Sequence, residues 1–163
     1  METIAEAKQF LRENWKKGTV CPCCNQRVKL YLRKLNSGMA LFLIGLYRLS
    51  KKNAYLPDGK PAWFTNKEVM KEMGINTSSL DYSVLRHWEL IKKKEANEDG
   101  VKRQSGYWQL TLAGLSFVQG HFSVKEKVNV YNNKRYGFSG NLITIKQALG
   151  SKFNYTELME EQL

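Results

Sequence analysis

The fold is decided by residues 65–90, which read TNKEVMKEMGINTSSLDYSVLRHWEL. Thr65 and Glu68 have the spacing of a capping box, which predicts the start of a short helix, and Gly74 is the residue type that ends one. After a tight turn, a second helix is predicted over about residues 78–89. Two helices joined by so short a turn form a helix-turn-helix.

The elements on either side complete a winged helix-turn-helix. Residues 38–51 are apolar on nearly every side of a helix, which indicates a central position in the core. Strands are predicted at residues 90–94 and 107–112, and the long polar loop between them becomes the wing. A short helix over residues 113–119 closes the unit.

The remaining sequence adds an element to each end of this domain. We predict an α+β fold with the winged helix-turn-helix domain at residues 36–122. An N-terminal helix and a cysteine-bearing turn occupy residues 1–35, and a C-terminal β-hairpin and helix extension occupies residues 123–163. The chain length suits one main domain with additions.

Local patterns support these terminal elements. Residues 2–17 have a helical apolar stripe. Residues 28–32 alternate as a strand does, with the apolar side chains on one face, and a helix is the alternative for so short a run. Asn132 and Asn133 tolerate positive φ and predict the turn of a hairpin. Thr144 begins a final short helix.

The charge of the chain is strongly positive. Lys and Arg number 26 against 15 Asp and Glu, which gives a net charge of +11. An excess of this size favours a polyanionic partner, because cations placed against a phosphate backbone release its counterions. The alternative is that the lysines only keep the protein in solution.

Neither a membrane segment nor a leader is expected. The most apolar run, residues 39–46, is far too short to cross a bilayer. The sequence begins with Met-Glu-Thr, which is not the basic start of a signal peptide. We therefore expect a cytoplasmic protein with no membrane partner.

The predicted second helix has an apolar side and a polar side. Leu80, Val84 and Trp88 share the side that can face a core. Small polar side chains opposite them allow close approach to DNA, and an arginine there can reach guanine or phosphate. The residues of this polar side are Ser79, Tyr82, Ser83 and Arg86. In the strand predicted after this helix, successive side chains point to opposite faces, so Lys93 is expected on the face opposite to Lys92 and Lys94.

Two stretches resemble bacterial winged-helix regulators of the MarR and PadR type. They are LRHWELI at residues 85–91 and GYWQLTLAG at residues 106–114. Glu89 stands where those regulators usually have glycine. The whole chain, with Cys-Pro-Cys-Cys at residues 21–24 and ALGSKF at residues 148–153, is similar to small phage and prophage proteins.

Together the two resemblances imply a phage or prophage regulator of transcription that binds double-stranded DNA. The alternative is a protein-binding module, such as a phage inhibitor of a host protein, because many winged helices bind proteins. Apolar faces on the terminal elements make a homodimer plausible. The DNA contacts implied by the resemblance are Ser78, Ser79, Tyr82, Ser83 and Arg86 in the helix, with Lys102 and Arg103 in the wing.

The cysteines lie within four residues of one another, at Cys21, Cys23 and Cys24. With no distant cysteine, a disulfide framework is excluded, which suggests a reducing compartment. The spacing of Cys21 and Cys24 resembles one zinc knuckle of the Cys-Pro-x-Cys-Gly kind, with Asn25 in place of glycine. Cys21 and Cys24 are therefore candidate zinc ligands.

The second half of such a zinc site is missing from the sequence. The chain contains only two histidines, His87 and His121, and His87 is expected on a helix surface. A dimer could instead share four cysteines across a two-fold axis. The alternative is a metal-free turn.

Catalytic signatures are missing from the sequence. It has no phosphate-cradling Gly-rich loop, no Gly-x-Ser-x-Gly elbow and no His-Glu-x-x-His motif. The acidic residues near the C-terminus lack partner ligands. We therefore expect a binding protein and not an enzyme.

Overall fold

The computed structural model describes residues 3–52, 63–74, 82–94 and 106–160. Over these residues the chain is α+β with antiparallel sheets, as predicted. None of the helices in these ranges is long and apolar enough to span a membrane.

The described elements comprise α-helices, one 3₁₀ helix and strands of two to ten residues. In chain order they are α1 (Ile4–Asn14), β1 (Thr19–Val20), β2 (Arg27–Val28), β3 (Tyr31–Lys34), α2 (Ser37–Lys52), β4 (Phe64–Thr65), α3 (Asn66–Met73), the 3₁₀ helix (Tyr82–Trp88), β5 (Ile91–Lys93), β6 (Tyr107–Leu110), α4 (Leu112–Val118), β7 (Val124–Tyr131), β8 (Lys134–Ile143), α5 (Ile145–Leu149) and α6 (Tyr155–Met159).

Helix α2 is the centre of the core, as its apolar circumference predicted. Residues 39–46 are all buried, and they join one apolar cluster with residues from the rest of the chain. The helix begins where the Asn36 side chain accepts a hydrogen bond from the Met39 amide, at 3.0 Å. This cap satisfies one of the free amides at the helix start.

The predicted capping box at the start of α3 is present in part. The Thr65 hydroxyl accepts from the Glu68 amide at 3.2 Å, and Gly74 ends the helix at a φ of 67°. The strand before this helix, β4, pairs with β6, which also pairs with β5. The strands predicted at residues 90–94 and 107–112 are therefore confirmed as one antiparallel pair.

The second predicted helix differs from expectation in its type. Residues 82–88 form a 3₁₀ helix and not an α-helix, while residues 75–81 lie outside the described part of the chain. A 3₁₀ helix has three residues per turn, so side chains at i and i+3 lie above one another. Tyr82, Leu85 and Trp88 consequently share one face.

The two terminal segments join in a single sheet. Strand β3 pairs with β7, and β7 pairs with β8 across a turn in which Asn132 and Asn133 have φ values of 48° and 65°. This confirms the predicted hairpin. Val128 of β7 and Leu149 of α5 belong to the same core cluster as α2. The three-segment division stays a prediction, but the segments share one core.

The continuous strand predicted over residues 28–32 is wrong in two respects. It is divided between β2 and β3, and Leu32 is 59% exposed while Val28 is buried. Val28 pairs with Thr19 in the small β1–β2 hairpin, whereas Leu32 pairs with Asn129 in the other sheet. Because neighbouring residues of a strand face opposite ways, Asn129 and Leu32 lie on the face opposite to the buried Val128.

Candidate nucleic-acid interface

The inward face of the 3₁₀ helix is a cluster of aromatic and aliphatic side chains. The Tyr82 ring stacks on Phe42 of α2, with ring centres 4.5 Å apart and planes at 18°. It also meets the edge of Trp108 on β6 at 5.6 Å. Leu85 and Trp88 are buried on the same face.

The structure therefore corrects the side of the helix to which Tyr82 was assigned. In an α-helix, with 3.6 residues per turn, Tyr82 would lie on the same side as the outward residues Ser83 and Arg86. With three residues per turn it aligns with Leu85 and Trp88 instead. Its ring contributes to the core.

The outward face of this helix keeps two of the predicted contact residues. Ser83 is exposed and Arg86 is half-buried, one 3₁₀ turn apart. The Arg86 side chain makes no hydrogen bond or ion pair with any other residue that the structure describes. Its guanidinium is thus available to an external acceptor.

The C-terminal hairpin holds the end of the 3₁₀ helix. The Trp88 indole donates to the Lys125 carbonyl at 2.8 Å, and the Arg135 guanidinium donates to the His87 carbonyl at 2.7 Å. Phe138 of β8 lies beside the Trp88 ring, with centres 6.2 Å apart. Sequence reasoning missed these contacts, because no local pattern joins residues that lie 37 and 48 positions apart.

A left-handed residue turns the chain from the 3₁₀ helix into β5. Glu89 has a φ of 59°, in the region that glycine adopts freely and other residues adopt at a cost of about 1 kcal/mol. Its carbonyl accepts from the Thr111 hydroxyl at 2.6 Å, and the Leu90 carbonyl accepts from the Thr111 amide at 3.1 Å. Thr111 thereby secures the turn even though glycine is absent.

A basic–aromatic face, formed by Lys92, Lys94, Trp63 and Tyr107, lies beside this turn. The Lys92 ammonium is 5.7 Å from the centre of the Trp63 ring, and the Lys94 ammonium is 5.6 Å from that of Tyr107. Lys93 pairs with Trp108 on the opposite face of the sheet. The predicted separation of Lys93 from its two neighbours is confirmed. Cation–π contacts of this kind orient the lysine heads.

His87 is buried, which corrects its predicted place on a helix surface. Only 9% of the residue is exposed. Burial lowers the pKa of its imidazole from the ordinary 6.5, and the positive charges of Arg86 and Arg135 lower this pKa further. His87 is therefore neutral at pH 7.

We expect acid to destabilise the protein partly through His87. The unfolded chain protonates this side chain below a pH of about 6.5, while the folded chain resists protonation, so stability falls as pH drops from 6.5 towards the folded pKa. Urea unfolding at pH 7.5 and 5.5 measures the loss. His87→Gln, which cannot titrate, should lose less stability than the wild type between these two values. An equal loss in both proteins would contradict this role.

The cysteine-bearing turn lies at the tip of the β1–β2 hairpin. The Cys21 amide donates to the Gln26 carbonyl at 2.8 Å, and the Asn25 amide donates to the Cys21 carbonyl at 2.9 Å. Asn25, which stands where the zinc knuckle has glycine, has a left-handed conformation with a φ of 60°. Hydrogen bonds from the backbone amides of Cys24 and Cys23 lower the pKa of the Cys21 thiol.

The predicted site residues thus fall into separate groups. Ser83 and Arg86 lie together on the 3₁₀ helix, and Cys21 and Cys24 lie together in the hairpin turn. Within the described ranges, no three His, Cys, Asp or Glu side chains converge as metal ligands. Ser78, Ser79, Lys102 and Arg103 lie outside the described residues. Comparisons of this chain with protein-family models, with curated proteins and with solved structures find no match.

Proposed function

We propose that this chain is a winged-helix protein that binds double-stranded DNA and regulates transcription. The observation that carries the proposal is the 3₁₀ helix, which is fixed from behind and presents Ser83 and Arg86 outward. The order of α2, β4, α3, the 3₁₀ helix, β5 and β6 supports a winged helix. The net charge of +11 supports a polyanionic partner.

The proposed mechanism places the outward face of the 3₁₀ helix in the major groove. Arg86 would contact guanine or a phosphate, and the small Ser83 side chain would allow the backbone to approach closely. The basic–aromatic face would contact phosphates of the DNA backbone beside that groove. Ser78, Ser79, Lys102 and Arg103 belong to the same proposal as further contacts, while Tyr82 supports the helix from inside.

A protein-binding module is the second candidate, and the sheet β3-β7-β8 favours it. Leu32 and Leu142 are exposed on this sheet, as is Tyr136. A shallow groove of about 230 Å³ lies between α1 and the hairpin, lined by residues that include Trp15 and Tyr136. Apolar surface of this kind suits a protein partner. Such binding would depend only weakly on salt.

Duplex-DNA binding at two salt concentrations tests the proposal. Fluorescence anisotropy with a labelled duplex should show binding at 50 mM salt. Affinity should fall roughly 50-fold at 200 mM if three phosphates are contacted. Arg86→Ala should weaken binding by about 10-fold, since it removes one base or phosphate contact. No particular operator is required, because the phosphate contribution is independent of sequence.

Arg12→Ala is the matched control for this measurement. Arg12 is an exposed arginine on α1, so its loss changes the net charge equally but removes nothing from the proposed interface. Its effect should stay below about 3-fold. If neither variant differs from the wild type, or if no duplex binds at low salt, the 3₁₀ helix does not contact DNA. Binding that is insensitive to salt would also reject the mechanism.

A further inference from the structure

The sheet β3-β7-β8 has a second face that the core does not use. Val128 of β7 is buried on the core side, and its direct partner Phe138 lies beside the Trp88 ring of the 3₁₀ helix on that side. Side chains that alternate with Val128 therefore lie on the opposite face, away from the 3₁₀ helix. The lysine–tyrosine face of this sheet consists of Lys34, Lys125, Lys127, Tyr131 and Tyr136.

Three lysines lie close together at one end of this face. Lys34 of β3 is the direct partner of Lys127 of β7, so the two share a face, with Cβ atoms about 5 Å apart. Lys125 lies two residues further along β7, roughly 7 Å away on the same face. Like charges directly opposite each other destabilise a sheet. An anion bound between the ammonium groups would offset this repulsion.

No carboxylate of these three strands lies on the lysine–tyrosine face. Glu126 is the only acidic residue of β3, β7 and β8, and alternation places it on the core side. Its carboxylate accepts from the Asn141 amide at 3.3 Å. Across the sheet from Lys34, the other neighbour of Lys127 is Ser139. Within the described ranges, the side chains of Lys34 and Lys127 make no hydrogen bond or ion pair.

Aromatic rings occupy the other end of the same face. Tyr131 and Tyr136 lie 5.7 Å and 4.9 Å from Trp15 of α1, between ring centres, with planes inclined at 61° and 64°. Rings at these angles do not stack on one another, and Tyr136 is 47% exposed. All three rings line the groove of about 230 Å³ between α1 and the hairpin. An exposed ring beside a groove suits a flat partner such as a nucleobase.

We propose that the lysine–tyrosine face binds single-stranded nucleic acid. Phosphates of the strand contact the lysines, and bases stack on the tyrosines, which begin roughly 13 Å from Lys127 along β7. Bases inside a duplex are stacked on one another and cannot reach these rings. The site does not depend on the proposed duplex contact by Arg86, because the 3₁₀ helix lies on the other side of the sheet.

The lysines favour a nucleic acid over a protein partner on this face. Leu32 and Leu142 are also exposed here, and apolar side chains alone would suit a protein. An apolar protein surface would, however, bury the charges of Lys34 and Lys127 without partners, which is costly. Phosphates of a single strand would instead pair with these charges.

Fluorescence anisotropy with labelled oligothymidylate and oligouridylate of about ten nucleotides tests the site. At least one of these strands should bind at low salt, and the ratio of the two affinities distinguishes DNA from RNA as the preferred strand. The double variant Lys34→Gln/Lys127→Gln should weaken binding about 10-fold through lost phosphate contacts. Tyr136→Ala should also weaken binding about 10-fold, because one stacked base loses its platform.

Lys67→Gln/Lys71→Gln is the matched control for the double lysine variant. Lys67 and Lys71 are exposed on α3, outside the sheet, so the same two charges are removed from another surface. The affinity of this control should change by less than about 3-fold. Urea unfolding checks that the sheet variant is folded. Its midpoint should not fall below that of the wild type, because the removed lysines repel each other.

Several outcomes would overturn the proposal. If neither strand binds at low salt, a protein partner is left as the occupant of this face. Equal weakening by the two double lysine variants would show that only net charge matters. Wild-type affinity in Tyr136→Ala would show that no base stacks there. A loss in Arg86→Ala as large as that in the sheet variant would place the strand on the 3₁₀ helix, and would leave the duplex proposal standing.

Discussion

Gly114→Ala is expected to lower the free energy of unfolding by about 3 kcal/mol, although alanine is the better helix former. A Cβ at this position in α4 would lie 2.0 Å from the Leu90 carbonyl oxygen. That oxygen already accepts from the Thr111 amide at 3.1 Å, so it cannot move away without weakening the turn. Urea unfolding of the variant and the wild type measures the difference.

Leu112→Ala is the control for the Gly114 experiment. Leu112 lies in the same helix and is 83% exposed, so its truncation should change stability by less than about 0.5 kcal/mol. A Gly114→Ala variant as stable as the wild type would show that α4 does not approach the Leu90 carbonyl this closely. Gly114, the last residue of the GYWQLTLAG stretch, would then have no packing explanation.

Trp88→Ala should destabilise the fold by about 4 kcal/mol. The ring is buried between the core and β8, so its removal leaves a large cavity. The Lys125 carbonyl also loses its donor, at 2.8 Å in the wild type. Thermal or urea unfolding gives the total loss. In the DNA assay, the variant should also bind more weakly, because the 3₁₀ helix loses support.

Trp88→Phe separates the two contributions. Phenylalanine keeps an aromatic ring in the core but cannot donate a hydrogen bond, so the expected cost is about 1–2 kcal/mol. If the two variants were equally unstable, the hydrogen bond to Lys125 would dominate. If Trp88→Ala were as stable as the wild type, the hairpin would not support the 3₁₀ helix at all.

Features that depend on neighbouring residues could be predicted from the sequence. The helix starts at Thr65 and Thr144 follow from hydroxyl caps that reach an amide three residues ahead. The Asn132-Asn133 turn follows from the tolerance of asparagine for positive φ. In each case the residues that form the feature lie within one turn of backbone.

Which face of the 3₁₀ helix each candidate interface residue occupies depends on contacts with distant residues, and this was harder to predict. Tyr82 occupies the inward face because α2 and β6 offer it Phe42 and Trp108 to pack against. The burial of His87 likewise depends on packing beyond its own helix. The apolar periodicity predicted an α-helix with 3.6 residues per turn instead of a 3₁₀ helix with three, because the local sequence does not distinguish the two helix types here.

The pairing of β3 with β7 has a consequence for the order in which the chain folds. This pairing joins Tyr31 to Val130, and the hydrogen bonds that hold the 3₁₀ helix come from Lys125 and Arg135. A nascent chain that has emerged from the ribosome only as far as residue 122 contains the 3₁₀ helix but not its support. Contacts between such distant residues form late, because a long loop must close first. The surface that presents Arg86 is therefore complete only once the hairpin has been synthesised. A chain terminated before the hairpin would lack the hydrogen bonds that hold the 3₁₀ helix.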